Sequence, residues 1–308
     1  METIEKIIKN IEQVIIGKRF EIELVIKAII AEGHILIEDI PGTGKTTLVK
    51  ALASSIKLNY SRIQFTPDLL PSDITGISVY NRKTDNFEYK KGPVYTNILL
   101  ADEINRTSPK TQSALLEVME EQQISESGNT YTVEKPFTVL ATQNPIEYEG
   151  TFKLPEAQLD RFLISLTLGY ADPAHESRIL QSRANSDPLA KITPVADSDT
   201  ILDLQKKRAE VAVSTEISNY IVALGIATRD NSQVRLGAST RALIALQKMA
   251  QAAALFSGRD YVIPEDVRSH VPYVFGHRVS LSPLSRTDER DKISIIREIA
   301  DSVKMPGV

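Results

Sequence analysis

The chain has 308 residues, of which 42% are hydrophobic and 25% are charged, and its formal net charge is −4. This length and composition are typical of a folded protein with two domains, and the acidic balance argues against a general affinity for nucleic acid. The absence of cysteine excludes a disulfide framework and thiolate chemistry.

Isoleucine spacing predicts two helices at the start of the chain. The first has an apolar stripe that Gly17 ends, and the second runs from Glu21 to Glu32 before Gly33. The opening residues, METIEKIIKN, mix charges with isoleucines and do not resemble a secretory signal. Since no uncharged apolar run approaches bilayer length, we expect a cytoplasmic protein without a membrane segment.

Short apolar runs follow, with helical segments between several of them. Such runs are typical of buried parallel strands. The predicted strands are Ile35 to Ile37, Arg62 to Phe65, Ile98 to Ala101 and Phe137 to Ala141. The pattern therefore predicts an α/β domain with a parallel central sheet.

Two stretches between these strands predict inserted β-hairpins. The first is ITGISVYNRKTDNFEYKKGPVY, and the second is QISESGNTYTVEKPF, with its turn at Ser127, Gly128 and Asn129. Exposed hairpins can serve as handles for a substrate. The alternative is that both only lengthen the edge of the sheet.

Helical patterns dominate the rest of the chain and predict a small all-helical domain. The helices are expected over Thr215 to Thr228, Thr240 to Phe256 and Asp288 to Val303. The boundary is expected where the last strand ends, near Gly169 to Pro173, which gives domains of residues 1–171 and 172–308.

The stretch EDIPGTGKTT follows the first predicted strand and opens a helix. Backbone N–H groups and a helix N-terminus then face an anion, which predicts a phosphate-binding loop. Lys45 would reach the β- and γ-phosphates, and the hydroxyl of Thr46 would bind Mg²⁺. Gly42 and Gly44 allow close approach of the backbone, whereas Asp39 occupies the place of the usual first glycine. Taken alone, the run is also compatible with an ordinary turn.

An acidic pair ends another strand, in the stretch NILLADEINR. The carboxyl ends of parallel strands share one edge, so Asp102 is expected close to Thr46, where it would hold Mg²⁺ through water. Glu103 is expected to accept a hydrogen bond from the attacking water. Without the lysine loop, the pair would equally fit a solvated turn.

Three further polar residues complete the predicted site. Asn144 ends the strand FTVLATQNP and would orient the water, although an Asx-turn before a proline is the alternative. Arg161 and Arg241 would neutralise charge that develops on the γ-phosphoryl group, and a salt bridge is the alternative for either.

In this order, the motifs PGTGKTTL, LLADEINR, SALLEVMEE, ATQNP, LPEAQLDRFL and GASTRA resemble the MoxR family of AAA+ ATPases, within the clade that carries an insertion before its second helix. YVIPEDV and the later HR are similar to that family's lid, so the resemblance runs from about residue 15 to 278. It implies a hexameric ring that binds ATP and Mg²⁺ and remodels protein complexes, in some members for metal insertion and beside a von Willebrand A domain partner. It leaves open which arginine acts across the subunit boundary, where Arg106 is also expected.

The resemblance also assigns roles to individual residues. Asn144 corresponds to sensor 1, Arg161 to the arginine finger and Arg241 to sensor 2. With Glu103, these three form the predicted catalytic set, and Thr46 and Asp102 form the predicted metal set. The predicted nucleotide-binding residues are Ile16, Gly17, Pro41, Gly42, Thr43, Gly44, Lys45, Thr46 and Thr47, with the first two near the adenine.

Three other classes of function compete with this interpretation. A GTPase needs an Asn-Lys-x-Asp base reader, whose spacing NRKTD does not match. A DNA-associated motor of helicase type needs a basic hairpin, but the basic pairs of the first hairpin are offset by Asp85 and Glu88. A scaffold that binds ATP without turnover has no need for Glu103.

Overall fold

The structure is a computed structural model that describes residues 2–126, 128–144, 151–183, 187–282 and 292–307. Its N-terminal part contains, in chain order, α1 (Glu2–Glu12), α2 (Arg19–Ile30), β1 (Ile35–Glu38), α3 (Lys45–Ser55), β2 (Tyr60–Gln64), α4 (Pro71–Thr75), β3 (Gly76–Asn81), β4 (Asn86–Lys91), β5 (Ile98–Asp102), α5 (Pro109–Glu121), β6 (Gln123–Glu126), β7 (Asn129–Thr132), β8 (Thr138–Gln143), α6 (Glu156–Leu159) and β9 (Ile164–Leu166). The four predicted strands are therefore confirmed as β1, β2, β5 and β8.

The central sheet is parallel and has five strands in the order β2-β5-β8-β1-β9. β9 is an additional strand that the apolar runs did not predict. In the observed register, Gln64 lies beside Asp102, and Glu38 lies beside Gln143. Because all five strands point the same way, the polar residues at their carboxyl ends meet at one edge.

Both faces of this sheet are buried, which explains the continuous apolar runs of its strands. Ile35 and Ile37 pack in one hydrophobic cluster together with residues of α1, α2 and α3. Leu36 points to the opposite face and packs in a second cluster together with Leu115 and Leu116 of α5. This alternation is the period of two expected for a strand.

The two predicted hairpins are confirmed as the antiparallel pairs β3–β4 and β6–β7. Each forms a two-stranded sheet of its own, so the alternative that they lengthen the edge of the main sheet is wrong. Tyr89 of β4 stacks on Tyr131 of β7, with ring centroids 4.2 Å apart and planes at 21°. The predicted turn residue Ser127 lies outside the described residues.

The C-terminal part contains α7 (Pro173–Arg183), α8 (Ser198–Glu210), α9 (Thr215–Asp230), β10 (Val234–Leu236), α10 (Thr240–Phe256), α11 (Pro264–Arg268), α12 (Val271–Phe275), β11 (Ser280–Leu281) and α13 (Lys292–Ser302). α9 and α10 begin where predicted, because Ser214 and Ser239 cap their first turns. The part is helical but not purely so, since β10 and β11 pair antiparallel.

Two expectations about this part remain predictions. The predicted start of the last helix, at Asp288, lies outside the described residues, and the described part of this helix is α13. The boundary between residues 171 and 172 also stays a prediction, since the hydrophobic cluster of β1 includes residues of α8, α9 and α10. Across the described ranges, none of the helices has the length and apolar character needed to span a membrane.

Candidate active site

A cavity of about 830 Å³ lies at the carboxyl edge of the central sheet. Its walls are the loop between β1 and α3, the ends of β2, β5 and β8, and the segments just before α2 and α7. This volume is within the range of sites that enclose a small ligand of nucleotide size. The topology therefore brings the predicted phosphate loop and acidic pair to one cavity.

The predicted phosphate loop, Pro41 to Thr47, lines this cavity along its whole length. Gly42 and Gly44 have φ values of +87° and +90°, which disfavour any residue with a side chain. A Cβ at either glycine would meet no heavy atom within 4 Å, so it would project into open space. Gly44 is the N-cap of α3 and offers no side-chain cap, which leaves the N–H groups of the first turn to an anion.

The ammonium group of Lys45 lies folded over this loop. Its Nζ donates hydrogen bonds to the backbone carbonyls of Asp39 and Ile40, each at 3.0 Å. These carbonyls are neutral acceptors, whereas phosphate oxygens are charged and bind an ammonium group more strongly. Lys45 therefore lies beside the predicted phosphate position, and phosphate oxygens can replace its two carbonyl partners.

Asp39, the residue that departs from the usual loop pattern, connects the phosphate loop to the segment after β9 by hydrogen bonds. Its carboxylate is buried, with 3% of the residue exposed. Oδ1 accepts a hydrogen bond from the N–H of Ile40 at 2.8 Å, and Oδ2 accepts from the N–H groups of Leu168 and Gly169 at 3.0 and 2.9 Å. Asp39 thus fixes the phosphate loop to the segment that leads out of the sheet.

Asp102 sits at the end of β5 with both carboxylate oxygens engaged. Oδ1 accepts a hydrogen bond from the hydroxyl of Thr142 at 2.6 Å. Oδ2 accepts from Nη2 of Arg62 at 2.6 Å and from its Nε at 3.2 Å. Asp102 therefore has a guanidinium as counter-ion on the side that lines the cavity.

Glu103 follows directly and adopts a left-handed backbone conformation, with φ of +58° and ψ of +48°. Its N–H donates to the hydroxyl of Thr142 at 2.9 Å, so one buried threonine orients both acids. Oε2 accepts from Nε2 of Gln64 at 2.7 Å and pairs with Nη1 of Arg106 at 3.1 Å. Sparsely populated backbone conformations of this kind are common at functional sites.

Asn144 lines the same cavity, two residues beyond Thr142, and is 8% exposed. Its position at the edge of the sheet matches the prediction, while its role toward a water molecule stays a prediction.

The far end of the cavity is more apolar. It is lined by residues from the connection before α2, by the segment before α7 and by α7 itself: Val14, Ile15, Ile16, Tyr170, Ala171, Ile179 and Leu180. Apolar walls of this kind suit a planar base. Gly17, predicted beside Ile16, packs instead against His175, since a Cβ there would lie 2.6 Å from the Cγ of that ring.

Arg161 and Arg241 do not reach this cavity within the chain. Nη2 of Arg161 pairs with Oε2 of Glu120 at 3.1 Å, and Nη2 of Arg241 contacts Oε1 of the same carboxylate. Both arginines line a separate pocket of about 240 Å³. Arg241 on α10 is thus held against α5, and the question of which subunit's γ-phosphate either arginine contacts stays a prediction.

The polar residues of the site that were missed from the sequence include Lys18, Arg62, Gln64 and Thr142. Arg62 and Gln64 lie on β2, and their period of two within the run Arg62 to Phe65 was the available signal. Lys18 Nζ donates to the backbone carbonyls of Leu168 and Tyr170, the latter at 3.0 Å, which no local pattern indicates.

The residues present fit a magnesium nucleotide. Hydroxyl and carboxylate oxygens, here those of Thr46 and Asp102, are the ligand types that Mg²⁺ prefers in proteins. The open space beside the two glycines and the uncapped start of α3 supply room and N–H donors for phosphates.

The fold and this site define an AAA+ ATPase. The sequence profile of the ATPase family associated with various cellular activities (AAA) matches residues 34–164, and the profile of the AAA lid domain matches residues 226–299. A solved structure of a protein from Cytophaga hutchinsonii (ATCC 33406) superposes with a TM-score of 0.92 at 39% sequence identity. That likeness covers 99% of this chain and 95% of the other.

Full-length relatives identify the family. The chain is 39% identical to the chaperone MoxR1 of Mycobacterium tuberculosis over 100% of its own length and 84% of that protein. It is 49% identical to the uncharacterised protein YeaC of Bacillus subtilis (strain 168), over 98% of this chain and 94% of YeaC. The chain belongs to the MoxR family of AAA+ ATPases. The predicted hydrolysis of ATP is thereby confirmed, and the non-hydrolysing scaffold, GTPase and helicase alternatives gain no support.

Proposed function

We propose that this ATPase is a chaperone-like remodelling factor that works as a ring, in which Arg161 and Arg241 of one subunit enter the nucleotide cavity of the next. The observation that carries the proposal is their position: both guanidinium groups lie together, outside their own chain's cavity. A triphosphate in that cavity has the cations Lys18, Lys45 and Arg62 of its own chain around it but lacks the two predicted arginines. A second copy of the chain is the simplest source of them.

The residues of the cavity divide the work of hydrolysis. Lys45 would exchange its two carbonyl partners for phosphate oxygens. Glu103 would accept a hydrogen bond from the attacking water, while Gln64 and Thr142 hold Glu103 in place. Thr46 and Asp102 would hold Mg²⁺, which neutralises charge on the phosphates when it is bound. Asn144 would orient the water from the neighbouring strand.

The nature of the client follows from similarity alone. One relative is named a chaperone, and the family resemblance adds protein complexes as clients, with metal insertion and a von Willebrand A domain partner as expectations. The hairpin β3–β4 is the client-facing element in this proposal, since Tyr80 and Phe87 form an exposed ring pair on it. Six subunits is the ring size that the resemblance implies.

Mixing two inactive variants tests the shared site. Glu103→Gln removes the group that activates water, and Arg161→Ala removes a group given to the neighbour, so each variant alone should lose at least about 10³-fold in turnover. In mixed rings, an interface with the intact Glu103 of one variant and the intact Arg161 of the other is complete. We expect turnover to return on mixing, measured as phosphate release at a fixed total protein concentration.

Arg268→Ala is the matched control, because Arg268 pairs with Asp301 on the surface of the C-terminal part. It should retain the parent's turnover, and sedimentation should show the same assembly for all variants. If mixed rings form and regain no activity, the assignment of Arg161 across the boundary is wrong.

A further inference from the structure

We propose that Glu120 is a positioning residue that holds Arg161 and Arg241 as one pair, ready for the nucleotide of a neighbouring subunit. The proposal rests on the proposed function, because it concerns how the chain prepares the arginines that its neighbour uses. Glu120 lies near the C-terminus of α5, far along the sequence from Arg241 and outside the nucleotide cavity.

A single carboxylate joins two elements that carry the arginines. Arg161 follows α6, and Arg241 lies in the first turn of α10. Each of the two oxygens of Glu120 contacts one guanidinium group. A guanidinium group has five N–H donors, so a contact with one oxygen leaves donors that can bind a phosphate.

Another acid fixes the backbone on which the two arginines stand. Oδ1 of Asp160 accepts a hydrogen bond from Nε of the buried Arg278 at 2.7 Å. The hydroxyl of Ser239 donates to Oδ2 of Asp160 at 3.0 Å and also accepts from the N–H of Ala242 at 3.1 Å, as the cap of α10. Asp160 therefore holds the chain beside Arg161 against the start of the helix that carries Arg241.

Asp160 and Arg278 position the backbone near the two arginines, whereas Glu120 orients their side chains. With Asp160 and Arg278 in place, the backbone of both arginines stays fixed when Glu120 is changed. What Glu120 supplies is charge between two like-charged groups, which would otherwise repel each other and turn apart. The side chains of Arg161, Arg241 and Glu120 are 30%, 47% and 36% exposed, so solvent screens these pairs and they add little to folding stability.

The pocket beside the pair is too small for a separate nucleotide site. At about 240 Å³ it holds less than a third of the volume of the nucleotide cavity. Besides Glu120 and the two arginines, its charged lining consists of two cations, Lys248 and Arg278, and two acids, Glu32 and Asp160. A phosphate presented by another chain fits this surface better than a whole nucleotide does. The chemistry therefore points to the triphosphate end of a nucleotide held by a second copy of this chain.

The test is Glu120→Gln, which keeps the shape of the side chain and removes its charge. We expect the ATPase kcat to fall about tenfold, since misplacement of a catalytic group by a fraction of its length costs one to two orders of magnitude. The KM for ATP, the thermal unfolding midpoint and the sedimentation profile should stay as in the parent. Glu117→Gln, an exposed glutamate on the same helix, is the matched control and should leave kcat unchanged.

Complementation distinguishes alignment from a general structural defect. Glu120→Gln chains have an intact cavity, so mixing them with Glu103→Gln chains should restore turnover, as it should for Arg161→Ala. A defect in the variant's own cavity would not be restored in this way. In a chain that already lacks Arg161 and Arg241, Glu120→Gln should cause no further loss, because residues that act as a unit are not additive.

The outcomes separate this inference from the function on which it rests. Full activity of Arg161→Ala and Arg241→Ala would overturn both. Loss of activity in those variants together with an unchanged kcat in Glu120→Gln would overturn the role of Glu120 alone. A fall in the unfolding midpoint of Glu120→Gln, without complementation by Glu103→Gln chains, would also overturn it, because Glu120 would then be a structural residue.

Discussion

Replacing Asp39 with asparagine removes the charge from a carboxylate shared by three backbone N–H groups. Oδ1 accepts from Ile40, and Oδ2 accepts from Leu168 and Gly169. Asparagine has the same shape, but one of its two terminal atoms is an amide nitrogen that donates and does not accept. In either orientation of the amide, at least one of these buried or partly buried N–H groups therefore faces another donor.

The less costly orientation keeps the amide oxygen toward Leu168 and Gly169. It leaves the N–H of Ile40 unsatisfied, which costs about 2 kcal/mol, and it converts two charge-assisted bonds to neutral ones at about 0.5 kcal/mol each. The sum is about 3 kcal/mol of unfolding free energy. For a chain of 308 residues, such a loss lowers the thermal unfolding midpoint by about 5 °C.

Thermal unfolding followed by circular dichroism measures this shift. Asp203→Asn is the control, because Asp203 forms an exposed pair with Lys207, and its loss should move the midpoint by less than about 2 °C. Asp39→Gly restores the residue of the usual phosphate loop and should still be less stable than the parent. Equal midpoints for the parent, Asp39→Asn and Asp39→Gly would refute the reasoning that Asp39 is a buried tie.

Three further changes test separate parts of the structure. Arg62→Gln should lower the Mg²⁺ concentration for half-maximal nucleotide binding about threefold, because Arg62 competes with Mg²⁺ for the carboxylate of Asp102. Such an ion pair is worth at most about 1 kcal/mol. An unchanged Mg²⁺ titration would contradict this competition. Burial of His34 lowers its pKa to about 4, below the unfolded value of 6.5, so folding stability should fall as the pH drops from 6.5 toward 4. At pH 5 the loss should be about 2 kcal/mol by urea denaturation, and His34→Gln should remove that part of the slope. Tyr131→Ala removes the ring stacked on Tyr89 and should cost about 1 kcal/mol, seen as faster hydrogen exchange in β3–β4; unchanged exchange would mean that the two hairpins are not coupled there.

The main sheet could be predicted from the sequence most directly where a strand contains at least three consecutive buried apolar residues. β1, β5 and β8 satisfy this condition, and each carries a polar residue just past or at its end. β9 has only three residues, one of them Ser165, and β10 and β11 are shorter or partly exposed. Such strands form because they pair with strands that are distant in the sequence, and local periodicity gives no information about these partners.

The site was predictable to the extent that its residues stand in sequence beside a strand end. This holds for Lys45, Asp102, Glu103 and Asn144. It fails for the two arginines, whose surroundings depend on Glu120, a residue that no pattern joined to either of them. The sequence supplied their chemistry, but only tertiary packing decides which triphosphate they can reach.

β9 connects the arginine pair with the nucleotide cavity of the same chain. Arg161 precedes this strand, and Leu168 and Gly169 follow it and are bound by the carboxylate of Asp39. Along its length β9 pairs in register with β1, which runs directly into the phosphate loop. β9 is hydrogen-bonded to β1 along its length and to Asp39 just after its end, so β9 and the phosphate loop are expected to move together. A shift of the phosphate loop therefore either breaks the bonds to Asp39 or moves the strand, and with it the backbone from which Arg161 extends toward Glu120.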